Sequence, residues 1–223
     1  MCKMVIRDEI LRAKDAIEKA GLYIASSKDL ERLADVSADA YEDYPLHNWL
    51  TKGKYDYETS KLLMLVTLKS MFNEAVIYAD SAELNGFAVW LPSGFTGNKT
   101  LPFIMSGGLK FILHSGVGVI GRLLTYENYA MKLKKEYTGN DDWYLFNLSI
   151  RKSAQGKGIA SKLLNPMLEF CDAEKMPAYL ETNKESNVKL YQHYGFELKK
   201  EEYIPGTTVS HYAMVKGPQN VEV

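Results

Sequence analysis

A strand, a glycine-containing turn and a helix follow one another directly between residues 143 and 172, and this unit constrains the fold more than any other part of the chain. The strand-like segment Trp143 to Ile150 leads through Arg151 to Ala154 into the turn Gln155-Gly-Lys-Gly-Ile-Ala160. A helical pattern follows, with apolar residues at Leu163, Leu164, Met167, Leu168 and Cys171. The first N–H groups of a helix lack acceptors and lie at the positive end of its dipole, so the turn predicts a phosphate or pyrophosphate site.

The spacing of the glycines separates the known phosphate-binding turns. Gly156 and Gly158 allow close approach of a ligand to the backbone, and Arg151, Lys152 and Lys157 add positive charge. A dinucleotide fingerprint needs a third glycine or alanine at the position of Ser161, and a P-loop needs Ser or Thr directly after Lys157. Both fit badly, and an ordinary glycine turn at the start of a core helix is the remaining alternative.

The same residues carry a resemblance to a known family. Gln155, Gly158 and Ala160 are similar to the acetyl-CoA signature of the GCN5-related N-acetyltransferase (GNAT) superfamily: Arg or Gln, two residues, Gly, one residue, then Gly or Ala. The downstream order also resembles this superfamily, with a strand at 178–182, a helix at 187–194 and the pair Gly195-Phe196. Upstream, residues 86–92 and Trp143-Tyr-Leu resemble the branch that includes puromycin N-acetyltransferase.

The resemblance implies an α/β fold of the GNAT acyl-CoA acyltransferase type, with a mixed, mostly antiparallel central sheet and helices on both faces. It implies acetyl-CoA as the acetyl donor, with its pyrophosphate on the backbone of residues 155–160 and its pantetheine arm beside an unpaired part of the fourth strand. The cofactor-binding residues that it implies are Leu148, Ser149, Ile150, Gln155, Gly156, Lys157, Gly158, Ile159, Ala160, Ser161, Asn187 and Tyr191.

Acetyl transfer to an amine requires a base for the amine and an acid for the leaving thiolate. Tyr191 matches the tyrosine of the superfamily that serves as this acid, and Asn187 matches the contact to the pantetheine arm. Glu181, at the end of the predicted fifth strand, is the first candidate for the base, with a structural hydrogen-bonding role as the alternative. Other candidates are His47, His114, Glu136, His211 and a relay through ordered water.

Length and pattern favour one domain over residues 1–223, with two additions to a minimal acetyltransferase. The first is an N-terminal amphipathic helix over about residues 5–20, interpreted as a packing or oligomer-contact element. The second is a helical insertion over about residues 95–140, built from two helices joined near Ser115-Gly116, which would lie beside the acceptor end of the cleft and shape substrate choice. Four residues of the early helices are expected to line the acceptor pocket: Tyr41, Tyr44, His47 and Trp49.

Composition limits the partners. A formal net charge of -1 over 223 residues gives no general attraction to nucleic acid or to an anionic membrane, and neither is expected as a partner. Cys2 and Cys171 are far apart in sequence, which makes a disulfide framework improbable, and no metal-ligand spacing stands out. Charged residues interrupt the N-terminus, so a cytoplasmic location is the default expectation.

The predicted activity is direct transfer of an acetyl group from acetyl-CoA to an amine of a small molecule within a ternary complex. An enzyme that acts on a protein or peptide amine is the nearest alternative. A module that binds acyl-CoA without turnover is a third, and a homodimer is left open.

Overall fold

The computed structural model describes residues 2–95, 100–139 and 141–218. The α-helices are α1 (Cys2–Lys19), α2 (Leu30–Ala40), α3 (Pro45–Leu50), α4 (Tyr57–Met71), α5 (Thr100–Phe103), α6 (Leu109–Ser115), α7 (Val117–Thr138), α8 (Ile159–Ala173) and α9 (Glu185–His193). A π-helical turn, Ile104–Gly108, joins α5 to α6, and a 3-10 turn, Lys152–Ala154, precedes α8.

The strands of the described residues form one seven-stranded sheet. They are β1 (Tyr23–Ile24), β2 (Val76–Ala79), β3 (Gly86–Leu91), β4 (Trp143–Ile150), β5 (Ala178–Thr182), β6 (Glu197–Tyr203) and β7 (Ser210–Lys216). Their order in the sheet is β1-β2-β3-β4-β5-β7-β6, and only the central pair β4 and β5 is parallel. The expectation of a mixed, mostly antiparallel sheet is therefore confirmed.

Helices cover both faces of this sheet, as expected. On one face, α1, α8 and α9 pack on a core that contains Trp90, Trp143 and Leu180. On the other face, α2, α4 and α7 cover Phe87 and Tyr179. Adjacent strand residues point to opposite faces, so the continuous apolar runs of β2 and β3 are buried on both sides.

The local patterns of the sequence explain most element boundaries. Ile10, Ala13 and Ile17 of α1 are buried at helical spacing, and the chain leaves the helix at Gly21, whose φ is 75°. Asp29 occupies the position before α2, and its carboxylate accepts hydrogen bonds from the backbone N–H and the hydroxyl of Ser26.

The insertion between β3 and β4 is helical in its described part, and the chain breaks between α6 and α7 at Gly116, as predicted. Residues 96–99 and 140 of the predicted insertion lie outside the described residues. A buried ion pair between Lys134 of α7 and Asp142, at 2.5 Å, ties the end of the insertion to the start of β4. The insertion thus brings α7 across the sheet next to β5 and β7.

The described residues were also compared with the requirements of a membrane-spanning helix and of a metal site. In the described ranges, no helix is both long enough and apolar enough to cross a bilayer. Among the same residues, no three or more His, Cys, Asp or Glu side chains come together as a metal site would require. Cys171 is a buried free thiol.

Candidate active site

The parallel strands β4 and β5 separate soon after they begin. Their pairing consists of Trp143 with Ala178 and Tyr144 with Tyr179. β4 runs on to Ile150, and its other edge stays paired with β3 along this length. The edge of β4 that faces β5 is therefore free of strand pairing from Leu145 onward, which leaves a wedge-shaped cleft in the middle of the sheet.

A β-bulge sets which backbone groups of β4 face this cleft. Val89 pairs with Asn147 and Trp90 with Leu145, so Phe146 is the extra residue. Beyond the bulge, the N–H of Arg151 donates to Asn85 on the β3 side. Because the backbone groups of a strand alternate in direction, those of Ser149 also point to β3, whereas those of Leu148 and Ile150 point into the cleft.

This alternation refines the predicted binding segment 148–150. The carbonyl oxygen of Ile150 accepts a hydrogen bond from the Gln155 side chain at 3.2 Å, which agrees with its direction toward the cleft. The Ser149 side chain is buried and donates to Asn147 Oδ1 at 3.1 Å. Leu148 and Ile150 can thus offer backbone groups to an extended ligand, and Ser149 supports the strand.

The glycine turn and the start of α8 lie where the cleft opens. Gly156 and Gly158 have φ values of 74° and 77°, in the left-handed region that side chains disfavour. A Cβ atom at either position would meet nothing within 4 Å, so both face open space. Gly158 occupies the position before α8 and has no side chain that could accept a hydrogen bond from the first N–H groups of the helix. The first N–H groups of α8 therefore remain available for an anion.

Gly86 allows α8 to approach the sheet closely. A Cβ atom at Gly86 would lie 2.8 Å from Cγ2 of Ile159 and 3.1 Å from Cγ1 of Ile150. Ile159 is the first residue of α8 and Ile150 the last of β4. The missing side chain of Gly86 thus sets the distance between the helix start and the cleft edge, a role that the sequence analysis did not assign to it.

The basic residues near the turn do not all contribute charge to a ligand. Arg151 pairs with Asp35 at 3.0 Å. Lys152 pairs with Glu42 at 2.6 Å and with Asp43 at 3.0 Å. The expectation that both add free positive charge is corrected by these ion pairs, which fasten the turn to α2 and to the segment after it. Lys157 is exposed on the turn itself.

Glu181 lies on β5 at the inner end of the cleft, under α7. Its Oε1 accepts a hydrogen bond from the hydroxyl of Tyr144, and the hydroxyl of Tyr126 lies 3.5 Å from the same oxygen. Its Oε2 is buried and has no hydrogen-bond partner among the described residues. Burial raises the pKa of Glu181 to about 7, although the hydrogen bond from Tyr144 opposes this shift. A carboxyl group of this kind can take up a proton near neutral pH.

Tyr191 and Asn187 lie on α9 beside the end of β5. Tyr191 is buried, and burial, with the neighbouring Tyr44, Tyr41 and Glu181 groups, raises its pKa well above the ordinary value of tyrosine. Its hydroxyl therefore stays protonated at neutral pH and is suited to donating a hydrogen bond. The amide of Asn187 donates to Thr182 Oγ1 at 3.2 Å, which keeps this side chain at the cleft.

Two of the four predicted pocket residues reach the cleft. The Tyr41 hydroxyl donates to Asn147 Oδ1 at 2.7 Å. The Tyr44 hydroxyl lies 2.9 Å from Thr182 Oγ1 and accepts a hydrogen bond from the N–H of Asn183 at 2.8 Å. His47 supports them from behind: it stacks on Tyr41 and shares a hydrogen bond with Ser60 at 2.6 Å. Trp49 packs against the apolar cluster of Leu46, Leu50, Ile204 and Val209, which Tyr44 and Tyr126 also contact, and no side-chain contact of Trp49 with β4 or β5 is seen among the described residues.

The other candidate bases are poorly placed for proton transfer. His47 is buried, and burial lowers its pKa to about 4. His211 is fully buried against Tyr126 and Tyr129, neither ring nitrogen has a described partner, and burial lowers its pKa to about 4. His114 and Glu136 are exposed on α6 and α7. Glu181 is the candidate whose pKa and unpartnered oxygen both suit a base.

The comparisons with known proteins agree with this geometry. The profile of the acetyltransferase (GNAT) family matches residues 98–196. An uncharacterized N-acetyltransferase of Schizosaccharomyces pombe is 26% identical over 191 residues, which cover 80% of this chain and 74% of that protein. The chain is thus similar to GNAT-family acetyltransferases, most directly over residues 98–196.

Solved structures of acetyltransferases share the fold of this chain. A Corynebacterium glutamicum protein described as histone acetyltransferase HPA2 and related acetyltransferase has a TM-score of 0.60 at 18% identity, covering 91% of this chain and 98% of its own. Arylalkylamine N-acetyltransferase 2 of Aedes aegypti has a TM-score of 0.57 at 19% identity, covering 89% of this chain and 98% of its own. At these identities the likeness extends to the fold.

Sequence reasoning missed several groups of the cleft between β4 and β5. Tyr144 and Tyr126 contact Glu181, and Asn147 joins Tyr41 to β4. The alternation of β4 and β5 would put Tyr144 and Glu181 on one face, but only the register between the two strands brings them together. Tyr126 reaches Glu181 because α7 crosses the sheet, which no local pattern in the insertion indicates.

Proposed function

We propose that the protein transfers the acetyl group of acetyl-CoA directly to an amine of a small molecule. Glu181 would act as the base for the amine, and the Tyr191 hydroxyl would donate a hydrogen bond to the sulfur of the leaving thiolate. The observation that carries the proposal is the unpartnered Oε2 of Glu181, on a carboxyl group with a pKa of about 7, in the cleft where β4 and β5 separate. Membership of the branch of puromycin N-acetyltransferase and a cytoplasmic location stay predictions, as does a homodimer.

The cleft has groups that fit each part of acetyl-CoA. The open space at Gly156 and Gly158 and the uncapped start of α8 suit a pyrophosphate, with Ile159, Ala160 and Ser161 supplying N–H groups. The free edge of β4 at Leu148 and Ile150, with the Asn187 amide opposite, suits the amide-bearing pantetheine arm. When bound, acetyl-CoA would supply an acetyl group already activated as a thioester.

Residues of the chain would take the proton from the amine and stabilise the charge that develops on the carbonyl oxygen and the sulfur. Glu181 Oε2 would accept a hydrogen bond, and then a proton, from the incoming amine. A backbone N–H of Leu148 or Ile150 would polarise the acetyl carbonyl. The Tyr191 hydroxyl would donate a hydrogen bond to the sulfur as negative charge develops there. Because the pKa of Tyr191 is raised, hydrogen bonding to the sulfur suits this residue better than complete proton transfer.

The enclosure of the acceptor end favours a small molecule over a protein. Tyr41 and Tyr44 from the α2–α3 connection and Tyr126 from α7 converge on the cleft near Glu181. Aromatic rings next to a carboxylate favour a protonated amine, through cation–π attraction before its proton is removed. A flexible protein tail would need an open groove at this point, and α3 and α7 approach each other there through the cluster of Leu50, Tyr126 and Ile204.

The test is a thiol-release assay with acetyl-CoA and a panel of amines, in which alkyl amines, arylalkyl amines and lysine-containing peptides compete. We expect turnover with free amines, and Tyr191→Phe should lower kcat on the order of 10²-fold while leaving acetyl-CoA affinity unchanged. Tyr203→Phe is the matched control, because Tyr203 lies on β6 with 64% of its surface exposed and is not a residue of the proposed site. Turnover with peptides alone would favour the protein acceptor, and acetyl-CoA binding without any turnover would favour a binding module.

A further inference from the structure

The insertion has an inner and an outer face of different character. Its inner face is buried: Phe103 packs against Phe111, and both join Val66 of α4 and Val119 of α7 in one apolar cluster. The outer face is also apolar but has no covering element among the described residues. We call it the outer row; it consists of Leu101, Met105, Leu109, Leu113 and Val117.

The outer row exposes large apolar side chains to an unusual degree. Its five members are between 61% and 79% exposed, and Ile104 and Leu124 beside them are about half exposed. The members recur every four residues along α5, the π-helical turn and α6, up to the start of α7. Single exposed apolar residues are ordinary, but a contiguous exposed patch marks an interaction surface.

The charges around the outer row have one sign along the insertion itself. Residues 100–126 contain no Asp or Glu, whereas Lys110 and Arg122 are basic. A groove at the α6–α7 end of the row adds Lys52 and Lys54 beside Arg122, with Asp56 as its one acidic residue. The whole chain has a formal net charge of -1, so this positive charge is local.

Most of the acidic groups near the row lie in a second groove. Glu31 and Glu58 line this groove, toward α2 and α4, together with Lys61, Lys110 and His114. Lys61 is paired with Asp35 at 3.0 Å. Lys110 thus shares its groove with two acidic residues, and the excess of positive charge beside the row lies at its α6–α7 end, where Lys52, Lys54 and Arg122 outnumber Asp56.

We propose that the outer row docks on the surface of an anionic lipid bilayer. Apolar side chains in a row with basic residues beside them match the chemistry of the interface between lipid headgroups and acyl chains. The helices would lie in the plane of this interface, because their opposite face is committed to packing on α4. A second copy of the chain fits less well, since pairing two outer rows would bring their basic flanks together.

Helix α7 connects the docking surface to the candidate active site. α7 starts in the outer row at Val117 and continues to Tyr126 next to Glu181. Nine residues of helix span roughly 14 Å. The acceptor end of the cleft would therefore lie close to the bilayer surface, although the docking proposal does not depend on which amine is acetylated.

Co-sedimentation of the full-length protein with vesicles tests the proposal. We expect binding to vesicles that contain phosphatidylserine, weaker binding to phosphatidylcholine alone, and weakening with salt. The triple variant Met105→Glu/Leu109→Glu/Leu113→Glu should lose binding by roughly ten-fold or more, and Lys110→Glu by a smaller factor. Leu11→Glu is the matched control, because Leu11 is 58% exposed on the distant helix α1 and its substitution should leave vesicle binding unchanged.

A second copy of the chain on the outer row would be detected by a different measurement. Sedimentation velocity of the wild type and the triple variant, without lipid, reports self-association through the outer row. A dimer that the triple variant converts to monomer, in a protein that ignores vesicles, would overturn the proposal, as would undiminished vesicle binding by the triple variant. Acetyl-CoA titration of each variant verifies its fold, so that a failure of membrane docking is separate from a failure of the proposed activity.

Discussion

At the scale of single residues, the proposed acetyl transfer depends on what surrounds one carboxyl group. Glu181 has one oxygen held by Tyr144 and the other buried without a partner. Its pKa is raised to about 7, which places its ionisation in the range where a base for amines is useful. The same burial means that the ionised form is costly to the folded state.

Glu181→Gln separates a catalytic role from a structural one. Gln keeps the size of the side chain and a hydrogen-bond acceptor for Tyr144 but cannot take up a proton, so we expect kcat/KM to fall on the order of 10²-fold or more. In the wild type, kcat/KM should rise with pH around 7, and the variant should lose this rise. Glu136→Gln, on the exposed face of α7, is the control. Retained activity in Glu181→Gln would leave Glu181 with a structural role only.

Gly158→Ala tests the turn at the start of α8. At a φ of 77° the added methyl group costs roughly 1–2 kcal/mol of folding free energy and would project into the space proposed for the pyrophosphate. Gly206, with a φ of 75° in the turn between β6 and β7, has the same backbone requirement and equally open surroundings. Gly158→Ala should weaken acetyl-CoA binding in calorimetry, whereas Gly206→Ala should affect stability alone. Equal affinities in the two variants would contradict the proposed cradle.

At the scale of elements, α7 connects the insertion, the sheet and the active site. Its anchor is the pair of Lys134 with Asp142, both fully buried, with the Thr138 hydroxyl donating to the same carboxylate at 2.8 Å. Burial raises the pKa of Asp142, and the charge of Lys134 opposes that rise. Each charge is therefore tolerable only while the other is present.

Removing one member of this pair should be more harmful than removing both. Lys134→Met leaves Asp142 buried without its partner, and we expect a loss of about 3–5 kcal/mol in the free energy of unfolding. Lys134→Met/Asp142→Leu should recover most of that loss, measured by urea unfolding. Lys132→Met, on the exposed side of the same helix, is the control. A double variant as unstable as the single one would show that the pair is needed for more than mutual neutralisation.

The elements also show where sequence reasoning succeeds and where it stops. The strand, turn and helix from Trp143 to Ala173 and the break at Gly116 follow from local patterns of apolar residues and glycines. The hydrogen bonds from Ser26 to the Asp29 carboxylate before α2 depend on the geometry of the turn, which a pattern of residues does not give. The ion pairs of Arg151 and Lys152 join residues more than 100 positions apart, so local patterns cannot reveal that these charges are already used.

At the scale of the whole molecule, buried titratable groups connect stability to pH. His47 and His211 have pKa values of about 4, below the ordinary 6.5, because burial disfavours their charged form. The unfolded chain therefore binds more protons than the folded one between pH 6.5 and 4, and stability is lost as the pH falls through this window. Glu181 acts in the opposite direction, because its pKa of about 7 exceeds the ordinary 4.5 and its burial favours the folded protein at low pH.

The slope of stability against pH should change sign when both histidines are removed. Between pH 6.5 and 4.5, two histidines oppose one carboxyl group, so the wild type should lose stability on acidification by roughly 1.4 kcal/mol per pH unit from these groups. In His47→Gln/His211→Gln only Glu181 remains of the three, and stability should rise with acidification over the same window. Thermal unfolding at pH 5, 6 and 7 measures the slope, with the exposed His114→Gln as control. A slope unchanged in the double variant would mean that both histidines take up protons over the same pH range in the folded and the unfolded chain, and that their burial does not govern its response to acid.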